Sequence, residues 1–269
     1  MNPFRIHFSL FDQAFTIGPY TIFFFLALAT VVIGGIIFAA RRGFDRKKVT
    51  IIMLVMLVSS VVGARLLNAL VNFPAYWENP AKLFAFDASG FSLYGGIAMA
   101  IISGLISCHF LRLNIFKLGD TLIPFLGIGI GIMRIGCFMN GCCFGKETDL
   151  PWGVHFPFLS PAHLYQLSNG GSFLEVDGVH PTQLYELVAA FSLSAIAFTL
   201  LKKKTPEGMT MLIFLMGFSL FRLINSYLRV NPGTFSVSPY FYPAIYLLII
   251  AVCSILFIRS KQKTAAQAI

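Results

Sequence analysis

Charge is scarce in this sequence: Asp, Glu, Lys and Arg make up 12% of it, against 57% hydrophobic residues. A soluble chain of 269 residues would need far more charge to cover its surface, so the shortage excludes an ordinary soluble globular domain. Paired cysteine motifs are missing as well. None of the five cysteines forms a CxxC unit, and Cys137, Cys142 and Cys143 lack the second such pair of a standard zinc pattern. The sequence accordingly predicts no metal and no cofactor. It has no basic n-region leading straight into a short apolar run and a small-residue cleavage site, so no cleavable signal peptide is expected. Internal repeats and low-complexity tracts are absent too.

Long apolar runs are what the sequence does have. Stretches of about 20 residues, each able to cross a hydrocarbon core of about 30 Å, lie at 20–40, 49–71, 91–111, 118–139, 183–201, 208–228 and 240–259. Backbone hydrogen bonds must close internally in lipid, so these are helices. The predicted fold class is an all-α polytopic membrane protein with seven transmembrane helices in one integral domain, 1–269. Residues 1–19, with Phe4, Ile6, Phe8, Leu10, Phe11 and Phe15, read as an amphipathic segment on the outer surface. The connection 140–182, rich in Gly, Pro and aromatics, is long enough to expect function of it.

Orientation follows from the basic residues. Arg41, Arg42, Arg46, Lys47, Lys48, Arg112, Lys117, Lys202, Lys203, Lys204, Arg259, Lys261 and Lys263 fall on one side. Only Arg5, Lys82, Lys146 and Arg229 fall on the other. Cytoplasmic loops are the Lys/Arg-rich ones, so the N-terminus is predicted outside and the C-terminus inside. The net charge of +9 then reports loops facing anionic headgroups, and no nucleic-acid partner is expected.

The three remaining basic residues, Arg65, Arg134 and Arg222, lie inside the apolar runs. An arginine at membrane depth costs about 3 kcal/mol or more, so it marks a site or a partner. Each sits seven residues before the outer end of its run, at Asn72, Gly141 and Arg229. At about 1.5 Å per residue that is roughly 10 Å below the surface. Three guanidiniums at one level suit a phospholipid phosphate, which arginine grips bidentately. Asn68, Asn72, Asn225, Ser226 and Arg229 extend polar stripes along the same faces. The blander alternative makes the arginines internal glue, paired with Glu186, Asp120 or carbonyls, or has them snorkel outward.

Reactive groups gather at other outer ends. His180, Gln183 and Glu186 fall on one face of the fifth helix, with Tyr185 between them. Gly90-Phe91-Ser92-Leu93-Tyr94-Gly95-Gly96 opens the third, where paired glycines permit close approach. Tyr20 starts the first and, like Tyr94, also fits an interfacial aromatic belt. Cys108 and Cys253 read as inert small hydrophobes. Cys137, Cys142 and Cys143 read as structural, with a Cys137–Cys142 or Cys137–Cys143 disulfide or a thiol-redox site as alternatives.

Taken together, these segments resemble the bacterial prolipoprotein diacylglyceryl transferases. Met133-Arg134-Ile135-Gly136-Cys137-Phe138-Met139-Asn140-Gly141-Cys142-Cys143-Phe144-Gly145 is similar to the family signature G-R-x-x-N-F-x-N-x-E-x-x-G. Gly63-Ala64-Arg65, Ser92-Leu93-Tyr94-Gly95-Gly96, the stretch His180 to Glu186, and Phe221-Arg222 with Arg229 resemble further family segments in the same order. The resemblance implies a multi-pass protein of the bacterial inner membrane. It would move the diacylglyceryl group of phosphatidylglycerol to the lipobox cysteine in the signal peptide of a prolipoprotein. Phosphatidylglycerol, prolipoprotein and membrane lipid are the implied partners. By the same resemblance Arg134, Arg222, Tyr94 and Glu186 carry catalysis. Arg65, Tyr20, Asn140, Gly145, His180, Gln183, Tyr185 and Arg229 bind substrate.

The sequence departs from the family where acceptor chemistry would sit. Tyr94 stands at the family's histidine, Cys137 at its asparagine, Cys142 at its glutamate, Met133 at the glycine before the arginine, and Ser226 at the helix-six glutamate. Two other readings therefore stay open. One is a divergent or non-catalytic member that acts on another acceptor or binds or transports an anionic lipid. The other is a membrane thiol oxidoreductase centred on Cys137, Cys142 and Cys143.

Overall fold

The fold is taken from a computed structural model that describes residues 6–10, 13–84, 90–173, 175–203, 205–230 and 240–266. Among the described residues, seven helices are long and apolar enough to cross a membrane. The first span, Pro19–Arg41, comprises α1 (Pro19–Ala29), a π turn over Thr30–Gly34 and α2 (Gly35–Arg41). The others are α3 (Arg46–Val71), α5 (Leu93–Phe110), α6 (Ile115–Asn140), α8 (Thr182–Lys202), α9 (Met209–Leu228) and α10 (Phe241–Ala266). Two short helices, α4 (Phe73–Glu78) and α7 (Pro161–Ser168), lie in connections. Ends are set by local chemistry. Asp45 accepts from the amides of Lys47 and Lys48 ahead of α3, and Asn114 from those of Phe116 and Lys117 at the start of α6. Pro19 and Pro161 occupy first-turn positions, where a missing N–H costs nothing.

The N-terminal segment differs from a featureless amphipathic stretch. Ile6–Leu10 (β1) and Gln13–Ile17 (β2) pair antiparallel, with Ile6 opposite Ile17 and Phe8 opposite Phe15. Ile6, Phe8 and Leu10 recur every second residue, which is a strand period. Residues 1–5, 11 and 12 of that segment, Arg5 among them, lie outside the described residues, as does Lys204.

The chain divides into two compact units. The unit Gly35–Thr121 is built on α3 against α5. These helices meet at glycines: a Cβ on Gly95 would come 2.2 Å from the carbonyl oxygen of Gly63. Small residues allow that backbone approach where lipid supplies no hydrophobic drive.

The other unit, Met1–Gly34 with Leu122–Ile269, holds α8, α9 and α10. Here the glycines of α6 have a packing reason. A Cβ on Gly127 would meet Ser194 Oγ at 2.1 Å and the Phe214 ring at 2.6 Å; one on Gly131 would meet Phe191 at 2.5 Å. Ile123, Ala197 and Phe214 form a core beside them. The connection between α6 and α8 folds around a second core of Phe144, Phe156, Ala162 and Val179. Bridges Glu147–Val179 and Val154–Val179 tie the connection to itself, and Gly145–Arg229 joins it to the C-terminal end of α9.

Candidate functional site

In that second unit, the first turns of α8 point a carboxylate inward. Glu186 is buried and receives Arg134 Nη2 of α6 on Oε1 at 2.7 Å. Arg222 Nη1 of α9 reaches Oε2 at 2.7 Å, and Arg229 Nη1 lies 3.9 Å from the same oxygen. Three guanidiniums thus face one carboxylate. Their side chains are 10%, 21% and 18% exposed against 3% for Glu186, so an incoming group meets arginine first.

The three arginines are not equally engaged. Arg222 is bonded at every nitrogen, because Nε and Nη2 donate to Tyr246 Oη of α10 at 3.0 and 2.7 Å. Arg134 contacts Cys137 Sγ through Nη1 at 3.7 Å. Among the described residues, the Nε–H groups of Arg134 and Arg229 are buried with no hydrogen-bond partner. Buried donors of this kind are costly unless an acceptor arrives.

The loop after α6 closes one side of the cluster. Gly141 and Cys143 both adopt left-handed backbone, at φ 68° and 64°. Thr182 Oγ1 donates to the Cys143 carbonyl and Gln183 Nε2 to the Cys142 carbonyl, each at 2.8 Å, so α8 holds the loop. The three sulfurs of Cys137, Cys142 and Cys143 lie within 4.8 Å of one another. The Cys143 thiol is held well below its ordinary range by hydrogen bonds with Cys137 and Cys142, then by the charges of Arg229 and Arg134. The bond with Cys137 pulls Cys142 down, but the bond with Cys143 and burial outweigh it and leave Cys142 raised.

The remaining sequence-predicted residues take several places. Gly145 is wedged where a Cβ would lie 2.5 Å from His180 Cβ and 2.8 Å from the Leu228 carbonyl oxygen. His180 Nδ1 lies 3.3 Å from Tyr185 Oη, which accepts from Trp152 Nε1 at 2.9 Å, so this pair braces the connection between α6 and α8. Asn140 ends α6 in an exposed position. Tyr20 is exposed and stacks on Phe24, its backbone against Gly136 two residues past Arg134.

Arg65 and Tyr94 belong to the unit Gly35–Thr121. Arg65 is buried there, donating from Nε to the Leu83 carbonyl at 3.1 Å and from Nη1 to the Gly90 carbonyl at 2.9 Å. Its guanidinium lies over Phe91, 5.0 Å from the ring centroid. Carbonyls and an aromatic face hold this arginine, as the internal-glue alternative anticipates. Tyr94 is exposed in the first turn of α5.

Tyr246 was not singled out from sequence. A tyrosine near the start of a span reads as an interfacial anchor, and nothing in its neighbours marks it as an arginine partner. Spacing already allowed Cys137 to pair with Cys142 or Cys143; that all three sulfurs gather depends on two left-handed residues that no spacing rule shows.

A family model described as prolipoprotein diacylglyceryl transferase matches residues 5–260. Several curated relatives are named phosphatidylglycerol–prolipoprotein diacylglyceryl transferase. One from Clostridium tetani is 28% identical over 195 residues, 71% of this chain and 72% of its own. One from Erwinia tasmaniensis is 29% identical over 249 residues, covering 85% and 84%. A third, carrying the same name with the number 2, comes from Clostridium perfringens; it is 26% identical over 250 residues, covering 88% and 90%.

Proposed function

The chain belongs to the prolipoprotein diacylglyceryl transferase family, and from that premise we propose that it transfers the diacylglyceryl group of phosphatidylglycerol to a cysteine thiol of a prolipoprotein. It is a multi-pass protein of the bacterial inner membrane, and the reaction is assigned to the outer face. The observation that supports the reading is the convergence of Arg134, Arg222 and Arg229 on the single carboxylate of Glu186.

The chemistry is a displacement at the glycerol carbon next to the phosphate. The thiol sulfur forms a bond to that carbon, the carbon–oxygen bond to phosphate breaks, and the thiol proton passes to the departing phosphate or to water. Glycerol phosphate departs with both electrons of the broken bond. Negative charge therefore grows on the leaving phosphate, and donors fixed beforehand stabilise it without reorganising. Arg134 and Arg229 bring partly exposed guanidiniums to this task. Arg222, tied to Glu186 and Tyr246, contributes positive charge in a fixed place.

Glu186 is a positioning residue in this scheme. Its carboxylate, 2.7 Å from both Arg134 and Arg222, keeps their repelling guanidiniums together. Gln183, His180, Tyr185 and Gly145 shape the loop above them, and Asn140 and Tyr20 border it. The family resemblance gives Tyr94 a hydrogen-bonding role toward the thiol, and gives Arg65 a supporting one. The acceptor is a lipobox cysteine, whose pKa of about 8.5 leaves it mostly protonated until the reaction begins.

The test is incubation of the purified protein with labelled phosphatidylglycerol and a lipobox-bearing peptide. The expected result is a peptide heavier by one diacylglyceryl group, with glycerol phosphate released in equal amount. Lipid bound without either product would contradict transferase action and favour anionic-lipid binding.

A further inference from the structure

Cys137, Cys142 and Cys143 are not needed for the displacement just described, and two of them replace an asparagine and a glutamate of the family signature. Yet the fold spends conformational energy to assemble them. Adjacent residues in an ordinary extended or helical chain point their side chains apart. Cys143 instead takes left-handed backbone at φ 64°, a conformation unfavourable for a residue with a Cβ. With Gly141 also left-handed, both neighbouring thiols turn back toward Cys137 at the end of α6.

The backbone that presents them is clamped. Thr182 and Gln183, both buried, hold the carbonyls of Cys143 and Cys142. Cys137 is buried, whereas Cys142 and Cys143 are half-buried. One side of the trio is thus fixed in protein and the other reachable. All three sulfurs lie within 4.8 Å of one another. Sulfurs bound to one tetrahedral Zn2+, with metal–sulfur bonds of about 2.3 Å, lie about 3.8 Å apart, so an inward adjustment of about an ångström suffices.

From this geometry we infer that Cys137, Cys142 and Cys143 form a binding site for a thiophilic d10 cation, of the Zn2+ or Cu+ class. A disulfide would use two of these sulfurs and strand the third; a cation uses all three. Soft thiolate ligands select such ions over oxygen-seeking ones. The thiols release their protons on binding, and the electron pairs of the three thiolates form the bonds, with no change of oxidation state.

The site also touches the arginine cluster, since Arg134 Nη1 lies 3.7 Å from Cys137 Sγ. Three thiolates around Zn2+ carry one net negative charge, which Arg134 faces.

The inference is independent of the transferase reading, because its readout is the metal. The full-length protein, reduced and stripped of metal in detergent, is titrated with Cd2+ as a spectroscopic substitute for Zn2+. The expected result is a sulfur-to-metal charge-transfer band in the near ultraviolet that saturates at one cation per chain. The band should be lost in Cys137→Ser and in Cys143→Ser, and kept in Cys108→Ser and Cys253→Ser. On the unaltered protein, Zn2+ should shield three of the five thiols from maleimide, counted by mass spectrometry. No band and no shielding in the unaltered protein would overturn the proposal. So would a band that survives both substitutions, or a disulfide among the three cysteines in protein isolated from membranes without reductant.

Discussion

One carboxylate facing three guanidiniums decides what each residue of the cluster can do. Glu186 offsets a single charge, so positive charge remains in excess even when the Cys143 thiol is ionised beside Arg229 and Arg134. That excess distinguishes an anion site from a structural ion pair, in which the charges cancel. Removing Glu186 would leave neighbouring arginines uncompensated, at a cost of about 3–5 kcal/mol, so Glu186→Gln reports on folding before it reports on chemistry. Tyr246 is the cleaner probe. It accepts two hydrogen bonds from Arg222, and bonds to charged groups contribute about 1.5–3 kcal/mol. Tyr246→Phe is expected to lower kcat/KM about tenfold while the protein still folds; an unchanged kcat/KM would show that Arg222 needs no anchor on α10. Arg134, Arg222 and Glu186 were legible in sequence because charge inside an apolar run is conspicuous. Tyr246 was not, since the aromatic belt gives every tyrosine near a span end an ordinary explanation.

At the scale of elements, the loop after α6 depends on Gly145. Its amide donates to the His180 carbonyl at 2.9 Å, and the next amide, of Lys146, donates to the Leu228 carbonyl at 2.7 Å. No room is left for a side chain, as the 2.5 Å approach to His180 Cβ shows. Gly145→Ala is expected to destabilise by about 1–3 kcal/mol, the usual cost of overpacking, read as a lower midpoint of thermal unfolding in detergent. An unshifted midpoint would mean that the loop moves freely away from α9. The spans themselves were readable: 49–71 and 208–228 differ from α3 and α9 by at most three residues at either end. Length and hydropathy fix such helices almost alone. The loop was not readable, because its bridges join residues such as Glu147 and Val179 that follow no period. The pairing of β1 with β2 was in principle visible, in the alternation of Ile6, Phe8 and Leu10.

For the whole molecule, the sequence set Arg65, Arg134 and Arg222 at matching depths, and their fates differ. Arg134 and Arg222 meet on Glu186, whereas Arg65 is held by the carbonyls of Leu83 and Gly90 within its own unit. Depth alone thus identified charged residues that need partners, but not which partners they take. Folding brings Arg229 from the end of α9 into the same cluster. The central claim is that this cluster stabilises the departing phosphate of phosphatidylglycerol. Its most direct test is turnover of labelled phosphatidylglycerol by Arg134→Ala and Arg222→Ala, each compared with the unaltered protein and each checked for folding. The account expects turnover to fall at least about a hundredfold in both, the loss typical of removing a transition-state donor, while both proteins remain folded. Turnover retained in both folded variants would contradict it.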